Sequence, residues 1–158
     1  MGGTLEPDPH AARVRQEEQV DPDAVRTVAD GAAADAGGVD PELLGGFLPI
    51  VVEAAASGRR LRRGELTACG ERGSAAALAG VPLRALIDLY LSACWRLWEV
   101  LDVVVDGDAA RVRAAGLAVL RAADDAVAAL AEGFQLARNG VHAAAQGQPS
   151  AAAGAPGA

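Results

Sequence analysis

The stretch Gly80-Val81-Pro82-Leu83-Arg84-Ala85-Leu86-Ile87-Asp88-Leu89-Tyr90-Leu91-Ser92-Ala93-Cys94-Trp95-Arg96-Leu97-Trp98 decides the fold. It holds the only tyrosine and both tryptophans of a chain that is 3% aromatic, and large rings mark where a fold is anchored. Leu83, Leu86, Ile87, Tyr90, Cys94, Leu97, Trp98 and Leu101 recur at steps of three and four, the period of a helix and not of a strand. Pro82 suits a helix start, and the spacing predicts a helix from there to about Val105. Trp95 and Trp98 are three positions apart and fall on neighbouring faces. Trp98 continues the inward side, and Trp95 covers a boundary or a dimer surface.

Upstream, Gly80 stops a preceding helix of about Glu65 to Ala79, in which Leu66, Cys69, Gly73 and Ala77 lie near one face. Arg59-Arg60-Leu61-Arg62-Arg63-Gly64 reads as a solvated basic connector, since RRLRR without interleaved aromatics is a weak anion or nucleic-acid signal. Before it, Asp40-Pro41-Glu42 opens a helix that Pro49 must kink or split, and that ends near Ser57-Gly58. Downstream, Asp106-Gly107-Asp108 caps a helix of about 108 to 138 with Leu117, Leu120, Val127, Leu130, Phe134 and Ala137 along one stripe, and Asn139-Gly140 ends it.

The ends read differently. Residues 1–39 are proline- and acid-rich, and form an acidic flexible segment with at most a short helix after Asp21-Pro22 carrying Val25 and Val28. Residues 40–138 form the helical domain, and 139–158 an Ala/Gly/Pro-rich flexible tail. The expected architecture is all-α: a four- to five-helix bundle with disordered N- and C-terminal tails. Such a domain of about 100 residues often gains stability by pairing with a copy of itself.

Composition excludes several functions. The net charge is −7, but residues 1–39 carry eight acids against three arginines and residues 40–138 thirteen against eleven, so the acidity sits mainly in the leading segment. A nearly neutral folded part is a poor holder of a phosphate backbone, and no direct nucleic-acid binding is expected. Lysine is absent, which removes Schiff-base chemistry, a phosphate-loop lysine and a Ser-Lys pair. No apolar run is long enough to span a membrane, no basic-then-apolar leader is visible, and the two cysteines lack CxxC spacing. A cytoplasmic protein with reduced thiols follows.

Candidate sites are sparse. His10 and His142 fall outside the helical core, so no haem ligand, metal set or catalytic triad can be assembled, and no catalytic, cofactor-binding or metal-binding residue is assigned. Asp124-Asp125 lies on or beside the apolar stripe. Asp124 is either a buried carboxylate with a pairing role or a flanking acid bonded to an arginine such as Arg121 or Arg96, or to water. Tyr90, Cys94, Trp95 and Trp98, with Asp124, are the candidate ligand or interface residues.

Arg63-Gly64-Glu65-Leu66, Gly70-Glu71-Arg72-Gly73, Ala79-Gly80-Val81-Pro82-Leu83, Leu89-Tyr90-Leu91, Trp95-Arg96-Leu97-Trp98 and Leu130-Ala131-Glu132-Gly133-Phe134 together carry a resemblance. Residues 40–138 resemble the helical N-terminal domain of RsbR/RsbRD-type (RsbT co-antagonist) stress proteins, also found at the N-terminus of actinobacterial PucR-type transcriptional regulators. The resemblance implies a globin-like helical signal-input module without haem that tends to dimerise. Members continue into an output domain, whereas this sequence runs into Ala-Pro-Gly, as a stand-alone protein or a truncated regulator would.

The expected function is a non-catalytic regulatory domain, homodimeric, acting on a regulatory protein partner by a shift in helix packing, on a frame of Pro82, Tyr90, Trp95, Trp98 and Phe134. The alternative is a small-molecule sensor with a pocket near Tyr90 and Trp95. No enzyme activity is expected.

Overall fold

Asp21 accepts a hydrogen bond from the Asp23 amide at 3.0 Å, and Pro22 occupies the first helical position, so a helix starts there: α1, Pro22–Asp35. The computed structural model describes residues 21–101, 104 and 107–146 of the chain. After α1 comes a 3-10 turn over Pro41–Leu44, then α2 (Phe47–Ser57), α3 (Arg63–Leu78), α4 (Leu83–Val100) and α5 (Ala109–Gln146). The fold is an all-α bundle with no strand among the described residues. None of these helices is long and apolar enough to cross a membrane.

Two expected boundaries move. Val28, Ala32 and Ala33 of α1 are buried against α4 and belong to the same core as Phe134, so the folded unit includes α1 and does not start at residue 40. Small side chains let α1 seat closely, which a search for large apolar residues passes over. At the other end α5 does not stop at Asn139-Gly140 but continues to Gln146. A glycine inside a helix costs only about 1 kcal/mol, and the alanine-rich turns around it restore helix propensity. The expectations for residues 1–20 and 147–158 lie outside the described residues.

The proline question resolves as a split, and the break precedes Pro49. Gly45 takes φ +53°, a left-handed conformation suited to glycine, and α2 then begins at Phe47 with Pro49 in its first turn. There the missing amide costs nothing, because first-turn amides have no intrahelical partner. Leu101 leaves α4 in an extended conformation and turns inward to a buried position, ending the helix short of the expected Val105.

α5 is the spine: at 38 residues it is about 57 Å long, and it packs against α2, α3 and α4. Its contact with α3 is the most extensive. The two backbones nearly touch there. A Cβ added to Gly73 would lie 3.1 Å from the Leu130 Cα and closer still to its carbonyl, and one on Gly133 would meet the Gly70 backbone. Ser74 adds a hydrogen bond from its hydroxyl to the Gly133 carbonyl at 2.9 Å. Leu86, Leu89, Leu97 and Leu130 fill the interior.

Candidate functional site

α5 buries a face of small residues. Ala115, Ala118, Ala122 and Ala126 point inward with Leu130 and Phe134, while Leu117 and Leu120 are turned out. The expected Leu117–Leu120 stripe is therefore wrong over its first half. α5 approaches its neighbours too closely for leucine at those turns, and alanine takes the inward positions. Leu120 is 69% exposed and Leu117 47%.

Leu120 faces the outward side of α4 across a shared groove. Trp95 is half exposed and Leu91 stands one turn before it, while Trp98 is half-buried with its ring over Gly116 of α5. Between the helices runs an apolar groove of about 350 Å³, with Cys94, Val119 and Ala123 beneath and Leu91, Trp98 and Leu120 at the sides. Gly116 makes room for it, since a Cβ there would come within 3.2 Å of the Trp98 ring.

A polar chain holds Trp95 in place. Arg96 donates to Asp35 through Nε at 2.7 Å and Nη2 at 2.9 Å, and its guanidinium carbon lies 4.9 Å from the Trp95 ring centroid, a cation–π distance. The hydroxyl of buried Ser92 donates to the same carboxylate. The Arg96 hydrogen bonds, aided by Ser92, hold the Asp35 carboxyl down to about 2. The end of α1 is thereby clamped to α4, and the clamp orients Trp95.

The remaining candidates divide. Tyr90 is buried, packs on Phe47 with ring centroids 4.7 Å apart, and donates to the Leu43 carbonyl at 2.9 Å. It does not line the groove beside Trp95. Cys94 lies under the groove, and burial pushes its thiol up to about 12. Cys69 is pushed to about 11, chiefly by burial, and both stay protonated at neutral pH. Asp124 is exposed and outside the groove lining. Its neighbour Asp125 is the paired member, ion-paired with Arg60. One residue of helical rotation, 100°, separates the two roles.

The basic connector is solvent-exposed at Arg60, Arg62 and Arg63, as expected, but it is also pinned by ion pairs. Arg59 bridges Glu53 at 2.7 Å and Glu65 at 2.8 Å, Arg62 reaches Glu53 at 2.9 Å, and Leu61 is buried. Hydrogen bonds from Arg59 hold the Glu53 and Glu65 carboxyls below the usual carboxylate range. These guanidinium groups tie α2, α3 and α5 together and are committed to the chain's own acids.

A second, wider groove of about 820 Å³ lies where Val81 and Leu83 meet Phe134 and the end of α5, with Arg138 and His142 on its rim. Among the described residues no three His, Cys, Asp or Glu side chains are gathered to hold a metal. The fold and this surface define an all-α bundle with an apolar groove lined in part by a clamped, outward tryptophan. No family model, curated protein or solved structure matches the chain.

Proposed function

We propose that this chain is a non-catalytic interaction module that presents the α4–α5 face to another protein. The observation carrying this reading is the exposure of Leu91, Trp95 and Leu120, all of which line the groove, with exposed Leu117 one turn before Leu120 on α5. Together they leave about 400 Å² of side-chain surface in water, within the range of the largest, often functional, apolar patch on a monomeric protein. Exposed aromatic and leucine side chains around a depression match the buried centre of protein interfaces. The resemblance to RsbRD-type input domains agrees with a regulatory, cytoplasmic role, and the two free thiols suit a reducing compartment. On this reading, the Asp35–Arg96 clamp passes changes in α1 to the interacting ring.

The test is a photo-crosslinking residue placed at Leu120 in the living source cell, with Thr67 on the exposed side of α3 as control. A discrete protein adduct from position 120 and none from 67 is expected. Equal or absent labelling from both positions would refute the reading.

A second reading rests on the groove itself. Its lining is almost wholly apolar, so a small uncharged aromatic or alkyl compound could occupy it. Quenching of tryptophan emission by apolar metabolite fractions, with a raised melting temperature, is its expected signature.

A further inference from the structure

The wider groove, where the α3–α4 turn meets the last third of α5, shares no residue with the groove beside Trp95. We infer that it is a binding site for an amphiphilic carboxylate, a small acid with one anionic head and a hydrocarbon body. A medium-chain fatty acid or an aryl-alkanoic acid has that form.

The two walls differ in chemistry. One is the turn from α3 into α4, where Leu78, Val81 and Leu83 present hydrocarbon. Gly80 takes φ +74°, and the Gly80 and Val81 amides donate to the Ala77 and Ala76 carbonyls at 3.2 and 2.9 Å. These bonds fix the apolar wall before any ligand arrives. The other wall is α5, where Gln135, Arg138, Asn139 and His142 follow one another at helical spacing and form a polar row. Phe134, one turn before Arg138, is buried beside that row and continues the apolar side.

Charge selects the sign of the ligand. None of the residues lining the groove is acidic. Arg59, Arg60, Arg62 and Arg96 are each held by a carboxylate of the chain, whereas among the described residues no carboxylate pairs with Arg138. Its guanidinium stays charged and offers a planar fork that matches a carboxylate. The Gln135 and Asn139 amides add neutral donors, which suits a singly charged head. The hydrocarbon body is required too. A wholly polar anion would leave Leu78, 70% exposed, and Val81 uncovered, and a wholly apolar compound would cover Arg138 without pairing it. The groove volume of about 820 Å³ falls within the roughly 300–1,000 Å³ of small-molecule sites. From Phe134 to His142 the α5 wall is about 12 Å long, enough to lie along an extended decanoate chain.

The test adds decanoate, below the concentration at which it forms micelles, to the full isotope-labelled chain at neutral pH and follows backbone amides by NMR. The Val81, Arg138 and His142 amides are expected to shift and to saturate. Decanol, which lacks the head, and acetate, which lacks the body, should each bind at least about tenfold more weakly. Arg138→Gln should weaken decanoate by about tenfold and leave decanol unchanged. Leu78→Glu, which puts an acid into the groove, should weaken decanoate as well. Both positions are exposed, so far-UV circular dichroism should show an unchanged fold. Leu120→Glu, in the other groove, should leave decanoate binding as it was. Decanol binding as tightly as decanoate, or an indifferent Arg138→Gln, would overturn the inference. So would shifts at Trp95 and Leu120 in place of Val81 and His142, or no shift with decanoate in large excess. None of these outcomes bears on the α4–α5 face, whose reading stands or falls with the crosslink at position 120.

Discussion

Replacing Gly73 by alanine tests the packing that positions the whole α4–α5 face. The new Cβ would lie 2.9 Å from the Leu130 carbonyl carbon and nearer still to its oxygen, so α3 and α5 must part by about 1 Å to restore contact distance. The obstacle is backbone on a long helix, and no side chain can rotate away. Overpacking of this kind costs about 1–3 kcal/mol, and a rigid neighbour places it at the top of that range. Alanine gains about 1 kcal/mol over glycine in helix propensity, leaving a net loss of about 2 kcal/mol. For a domain of this size that lowers the melting temperature by about 8 °C. Gly64 in the first turn of the same helix is the internal control, because nothing lies within 4 Å of its added Cβ. The same substitution there should raise the melting temperature slightly. Thermal melts followed by far-UV circular dichroism measure both. A Gly73→Ala variant as stable as Gly64→Ala would refute the close crossing of α3 and α5.

Other outcomes follow from single contacts. The Asp35 carboxyl is held at about 2 against an ordinary 3.8, so its stabilisation is full above about pH 4 and is lost as the pH falls toward 2. The melting-temperature gap between wild type and Asp35→Asn should be constant at neutral pH and close over that acid window. A gap that persists at pH 2 would show that the clamp is not ionic. Tyr90→Phe keeps the contact with Phe47 but removes the hydrogen bond to Leu43, and should cost about 1 kcal/mol in urea unfolding. Cys69 and Cys94 are buried and protonated, so a thiol reagent at neutral pH should label neither in the native chain and both in denaturant. Rapid native labelling of Cys94 would mean that the groove floor opens.

Much of this architecture is legible in the order of residues. The 83–98 stripe gives α4 because large side chains at helical spacing leave no other period. Asp21-Pro22, Asp40-Pro41 and Asp108 are cap signals that the structure uses, the last through its carboxylate to the Ala110 and Arg111 amides at 2.9 Å. The outward Trp95 and inward-leaning Trp98 follow from their spacing of three. What could not be read is the inward face of α5. Periodicity weights leucine over alanine, and here alanine and glycine win the buried positions because backbone approach, set by Gly70, Gly73 and Gly133, leaves no room for more. Leu117 and Leu120 became surface residues for that reason, and with them the outer wall of the groove. The role of Asp125 in place of Asp124 depends on one residue of helix phase. The Arg59 bridge depends on long-range pairing that a charge run does not disclose.

On the interaction reading, Trp95 is covered when the chain meets its partner. Fluorine NMR of the chain labelled with fluorotryptophan gives one resonance for each indole, assigned with Trp98→Phe. The solvent isotope shift of each resonance reports its exposure to water. In extract of the source cell, the Trp95 resonance is expected to lose the isotope shift it shows in dilute buffer, and that of Trp98, which lines the same groove, is expected to shrink with it. A Trp95 resonance that keeps the full shift in the extract would contradict that reading.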